Sequence, residues 1–126
     1  MAVQLNHTIV AAHDADAAGA HFAELFGLPT PERWGPFVAV VLDNAMTLDF
    51  MTVEGDVAGQ HYAFLVTEEE FDAIFGRIRA QGIDFWADPH QQHPGEINHD
   101  DGGRGVYWIS PDGHYLEIIT RPYGGW

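Results

Sequence analysis

The chain has 126 residues, enough for one domain or two small fused halves, with about two-thirds of the unfolded surface removed from water on folding. Five arginines, no lysine and nineteen acids give a net charge of −14, which repels nucleic acid and anionic lipid and makes a cation the charge-selected ligand. There is no cysteine. Disulfides, thiolate ligands and a cysteine nucleophile are excluded, so any metal donors must be His, Asp or Glu.

The opening Met-Ala-Val-Gln-Leu-Asn-His lacks the features of a secretory signal, and no apolar run reaches membrane-spanning length, so a cytoplasmic protein without membrane contact is expected. Leu5 to Ala11 alternates as a strand. Asp14 then offers an N-cap for an Ala-rich helix that ends near Phe26 at Gly27. A proline-containing loop is expected from Leu28 to Pro36, followed by strands Phe37 to Leu42 and Ala45 to Thr52. Gly55 to Gly59 is the natural linker. A second module repeats the order: strand Gln60 to Val66, then Thr67 with Glu70 as a capping box before a helix carrying Phe71, Ile74, Phe75 and Ile78. Gly82 closes it. Ile83 to Ala87 reads as a short strand, Asp88 to Gly103 as a polar loop, and Gly105 to Ile109 pairs with His114 to Thr120 across Pro-Asp-Gly. The modules are thus residues 1–54 and 60–126, together forming one domain.

Glu117 stands in the middle of an apolar strand, among Tyr115, Leu116, Ile118 and Ile119. An unpaired carboxylate there costs several kcal/mol or is forced neutral, and the partner that would keep it charged is a metal ion. The strand period of two groups Leu5, His7 and Ile9 with Thr47, Asp49 and Met51, and His61 and Ala63 with Tyr115, Glu117 and Ile119. Each module therefore supplies one imidazole from its opening strand and one carboxylate from its closing strand. If the two modules are related by a pseudo-twofold, all four can converge. Two neutral imidazoles and two carboxylates balance a divalent cation and suit Zn, Ni, Co, Fe or Mn. Any one of the four alone has an ordinary reading as a core or edge residue. Their recurrence in both modules favours the joint one.

The remaining histidines carry less. His13 and His21 are expected to be solvated beside the first helix, His90, His93 and His99 to sit in a solvated lid, and His114 to be exposed after its turn. Trp34, Trp86, Trp108 and Tyr107 are core candidates or walls of a substrate pocket. Arg104 and Arg121 are either surface partners for the excess acid or anchors for an anionic substrate. The Pro122 to Trp126 tail docks on a neighbouring subunit or frays.

Leu5-Asn6-His7, Gln60-His61-Tyr62-Ala63-Phe64 and Ser110-Pro-Asp-Gly-His-Tyr-Leu-Glu117 together resemble the vicinal oxygen chelate superfamily of glyoxalases, bleomycin and fosfomycin resistance proteins and extradiol dioxygenases. The resemblance covers nearly the whole chain and implies an α+β fold of two βαβββ modules forming an incomplete barrel, completed in a homodimer. It places His7, His61 and Glu117 on the recurrent metal positions and Asp49 where glyoxalase-like members carry a glutamate one methylene longer. It implies a divalent transition metal (Zn, Ni, Fe, Mn or Co) acting as a Lewis acid on a small oxygenated metabolite, with Glu117 or Asp49 taking a proton. With Asp49 bound, the set is similar to that of lyases and isomerases; without it, to the two-His-one-carboxylate set of oxygen-activating enzymes. Thiol transfer to fosfomycin is disfavoured, since phosphonate recognition calls for a cation cluster. The competing expectation is a metal-free, drug-sequestering homodimer of the bleomycin resistance type, its acidic aromatic groove binding a cationic or planar antibiotic.

Overall fold

Alternating burial organises each half of the chain. In the computed structural model, which describes residues 3–125, strand β1 (His7–Ala12) buries Val10 and Ala12. Helix α1 (Ala15–Phe26) is capped by Asp14, whose side chain accepts from the Ala17 N–H, and stops at Gly27 with φ 69°, a left-handed conformation open to a residue without Cβ. Strands β2 (Glu32–Trp34), β3 (Phe37–Val41) and β4 (Thr47–Thr52) follow. The helix lays Phe22, Ala23 and Leu25 on the sheet face that carries Val38, Val40, Leu48 and Phe50. A Cβ at Gly19 would meet the Val38 side chain at 2.7 Å, so glycine is what lets α1 sit this close to β3.

The second half is built the same way. Strand β5 (His61–Leu65) leads into α2 (Glu68–Ala80), then β6 (Phe85–Trp86), β7 (Gly105–Ile109) and β8 (Tyr115–Ile119). The capping box forms in full: Thr67 Oγ1 accepts from the Glu70 N–H at 3.1 Å, and Glu70 Oε1 from the Thr67 N–H at 2.9 Å. Phe71, Ile74 and Ile78 of α2 are buried with Val106, Trp108, Leu116 and Ile118.

Contacts divide the chain into compact units Met1–Ala58 and Gly59–Trp126. Their sheets have matching orders, β1-β4-β3-β2 and β5-β8-β7-β6. In both, the opening strand runs parallel to the closing one and the rest are antiparallel. The fold is α+β, two βαβββ modules whose sheets do not close into a barrel. Among the described residues no helix is long and apolar enough to cross a membrane.

Three local expectations need correction. The segment from Leu28 to Pro36 is not all loop: Glu32–Trp34 pairs antiparallel with β3 through a two-residue turn with Gly35 at φ 61°. Pro31 precedes the first paired residue and Pro36 lies in the turn, so neither removes a ladder hydrogen bond. His114 is only 3 % exposed, because its Nδ1 accepts from the Gln60 N–H at 3.1 Å and its ring meets Tyr62 edge-on. The Asp88 to Gly103 loop is pinned at both ends, by bridges Trp86 to Pro94 and Asn98 to Gly105 and by Asn98 Nδ2 donating to the Ala87 carbonyl at 2.8 Å. Of the C-terminal tail, Tyr123–Gly125 makes a 3₁₀ turn; Trp126 lies outside the described residues.

Candidate functional site

Strand register places the candidate donors equivalently in the two units. His7 opposes Thr47 and Asp49 opposes Ile9, two residues further on. His61 opposes Tyr115 and Glu117 opposes Ala63, again two residues further. In each unit the imidazole and the carboxylate share the sheet face turned away from the helix. That face stays accessible in the unit: Ile9 is 48 % and Leu65 61 % exposed.

In the second unit the pair is in contact. His61 Nε2 donates to Glu117 Oε1 at 2.9 Å, with the imidazole half exposed and the carboxylate 12 % exposed. Metal–ligand bonds of about 2.0–2.2 Å put two donors at right angles on one ion roughly 3 Å apart, so this spacing suits a shared cation. Tyr107, opposite Glu117 on β7, completes the group. Burial first, and then its hydrogen bond to the Glu117 carboxylate, push the phenol well above its usual range. It therefore stays a donor to Glu117 across the neutral range. In the first unit Asp49 is half-buried between Ile9 and Ala39. His7 is exposed and its Nδ1 donates to Asn6 Oδ1 at 2.7 Å, which leaves the lone pair of the neutral ring on Nε2. Among the described residues no three His, Cys, Asp or Glu side chains gather closely enough to hold an ion.

Beside His61 opens a hollow of about 330 Å³ bordered by Trp86, Tyr107, Ile109 and Tyr115, with Asp88, Pro89, His90 and Gln91 along its loop side. The Asp88 carboxylate accepts from the backbone N–H of Gln92 at 2.9 Å and of His93 at 2.8 Å. Desolvation acts to raise its pKa, but these N–H groups outweigh it and leave Asp88 below the usual carboxylate range. They fold the loop back toward the hollow, with Gln91 at φ 60°.

The other expected substrate contacts separate. Trp86 and Tyr107 border the hollow. Trp108 also borders it but is 2 % exposed; it pairs with Phe85 and Leu116, in register with the helix-facing side, and belongs to the core. Arg104 does not border the hollow. Its guanidinium is held on α2 by Glu68 at 2.7 Å and Asp72 at 2.8 Å, and it stacks 4.3 Å above the Phe71 ring. Trp34 lies on edge strand β2, 76 % exposed. Tyr115, Ile109, Asp88, His90 and Gln91 were not singled out in the sequence as lining residues. The signal for the first two was their parity with Glu117 and Tyr107; for the loop residues there was none, since their placement depends on the Asp88 latch.

These features define a member of the vicinal oxygen chelate superfamily, and the chain belongs to it. It is similar over 98 % of its length to the solved structure of Oxidase ChaP-H1, at 61 % identity and TM-score 0.96 with all of that chain covered. To Oxidase ChaP-H2 the figures are 55 % and 0.96, over 99 % of this chain and 98 % of that one. Among curated proteins it is 30 % identical to the glutathione transferase FosA of Serratia marcescens over 124 residues, 94 % of this chain and 81 % of that protein. No protein-family model matches.

Proposed function

We propose that the protein is a metal-dependent oxidase acting on a small oxygenated metabolite, with His7, His61 and Glu117 as the metal donors and Asp49 beside them. The observation that carries this reading is the His61–Glu117 contact at the mouth of an aromatic hollow, in a chain 61 % identical to an oxidase. The N/O donor set suits Fe, Mn, Co, Ni or Zn, and a homodimer would complete the site around these donors. A divalent metal held there supplies a Lewis acid for adjacent substrate oxygens and, for iron or manganese, an electron route to dioxygen.

The side chains do the rest. Trp86, Tyr107 and Tyr115 offer flat apolar walls for a planar substrate and keep water from its reacting edge. None of the five arginines borders the hollow. Uncharged or cationic ligands are therefore favoured over phosphonate or glutathione carboxylates, despite the similarity to a glutathione transferase. Asp49, acceptor-only when ionised, would take a substrate hydroxyl proton, and Tyr107 steadies the negative charge on Glu117.

The test is protein purified without chelator. The oxidase reading expects near-stoichiometric transition metal and substrate-dependent oxygen uptake that chelation abolishes. Metal below about a tenth of an equivalent, with no uptake on titration, defeats it. Quenching of tryptophan fluorescence by bleomycin-like drugs that survives chelation would establish the sequestration alternative instead.

A further inference from the structure

His114 is the one polar or charged residue among those described that is buried, and nothing in the proposed chemistry uses it. It sits immediately before β8, and its Nδ1 accepts the backbone N–H of Gln60, the residue immediately before β5. The Gln60 carbonyl in turn accepts the Tyr115 N–H at 2.8 Å. Next to this, Gly59 packs so closely on the Gly113 carbonyl that an added Cβ would lie 2.6 Å from it. The His114 backbone is itself held, its N–H donating to Ser110 Oγ at 3.1 Å and its carbonyl accepting the Ser110 N–H.

This arrangement solves a specific problem. Strands β5 and β8 run parallel, so no hairpin turn fixes their register, and a slip of one residue turns a strand's side chains to the opposite face. His61 and Glu117 meet only if His61 stays level with Tyr115. We propose that His114 is a positioning residue: its imidazole locks the start of β5 to the start of β8 and so presents His61 to Glu117. The first unit shows the same strand pairing without the lock. There the Thr47 N–H donates to the Asn6 carbonyl at 2.9 Å, but Met46 stands in the place of His114, and the Asn6 side chain bonds His7 directly.

The functional consequence rests on His61 and Glu117 being metal donors; the structural claim does not. Two variants of the full-length protein test it: His114→Leu, which removes the acceptor, and His114→Asn, whose amide oxygen restores one near Nδ1. Native-state hydrogen exchange should show the Gln60 amide losing about tenfold or more protection in His114→Leu, beyond any change at Val106 in β7, the loss expected of an orphaned donor. His114→Asn should stay within about threefold of the original chain. Cobalt(II) affinity, read from its visible absorption, should fall about 10–100-fold in His114→Leu, the usual cost of losing an outer support of a ligand, and recover in His114→Asn. Unchanged Gln60 protection in His114→Leu, or an Asn variant as defective as Leu, overturns the proposal. If His114→Leu does not fold, the Asn variant decides alone, since it must keep both Gln60 protection and cobalt affinity. Failure of the original chain to bind cobalt sinks the metal reading instead, and the exchange data still decide the register claim.

Discussion

The two halves share a strand order and a donor register, yet only the second brings its imidazole and carboxylate into contact. Glu117 has one methylene more than Asp49, and Tyr107 stands opposite it, where Ala39 stands opposite Asp49. In the second half the His61 Nε2 is engaged by Glu117, so a metal taking that nitrogen would have to displace the hydrogen bond. In the first half His7 already has its Nε2 lone pair exposed by the bond to Asn6. One module pairs its imidazole with its carboxylate, and in the other the imidazole pairs with a neighbouring amide.

The sharpest way to break this comparison is to delete donors one at a time. Glu117→Ala and His61→Ala should each lower metal affinity by more than the roughly 100-fold that bounds loss of an outer hydrogen-bonding partner, and His7→Ala should match them. Asp49→Ala should cost only about tenfold, as expected of a carboxylate that acts from beside the ion. Equilibrium dialysis with a competing chelator measures all four. An Asp49→Ala loss as large as that of Glu117→Ala would make Asp49 a full ligand and the halves equivalent. Loss in the second half alone would leave the first half out of the site.

The loop asymmetry gives a smaller effect. Only the second unit borders its donor face with a long loop, and Asp88 latches it. Because Asp88 sits below the usual carboxylate range when folded, the latch is intact above that range, survives as pH falls through it, and is lost only when pH reaches the lower folded value. Asp88→Ala should therefore behave at neutral pH as the original chain does in stronger acid: faster exchange at the Gln92 and His93 amides and altered Trp86 fluorescence. Ligand affinity should drop about three- to tenfold, the worth of ordering a few loop contacts. Equal exchange in the two proteins would mean the loop is held by its Pro94 and Asn98 bridges alone.

How much of this was legible depended on whether a feature is local or comes from tertiary placement. Both helices, their caps and the βαβββ order follow from periodicity, with Asp14, Gly27, Thr67 and Glu70 marking the ends. The face shared by His61 and Glu117 was legible too, because a period of two is unforgiving: once Glu117 is placed, Tyr115 and Ile119 are fixed beside it. Strand β2 was hidden because Pro31 and Pro36 look like breakers until their positions relative to the ladder are known. His114 was misplaced because a polar residue beside a turn is ordinarily exposed, and only the fold shows that Gln60 lies within reach. Arg104 takes the first of its two readings, a partner for the excess acid, with Glu68 and Asp72. Gln91 follows no sequence signal at all, its N–H being held by the backbone carbonyl of Asp88 and the next two residues by the Asp88 carboxylate.

The finest difference between the halves lies at the helix starts. Helix α2 has a reciprocal box, whereas α1 takes one bond from Asp14 and a second from Thr52 Oγ1, which accepts the Ala15 N–H at 2.9 Å from the end of β4. Thr67→Ala and Asp14→Ala should each cost about 1 kcal/mol, or roughly 4–6 °C in Tm. Their combinations should differ. Glu70 reaches back to the Thr67 backbone N–H, which survives in Thr67→Ala, so adding Glu70→Ala removes a second partner from the same turn and the two losses should couple. Thr52 and Asp14 serve different N–H groups and arise on different elements, so their losses should add. Thermal melts of the two double-variant cycles check this; additive behaviour in both would mean the α2 box is two independent caps.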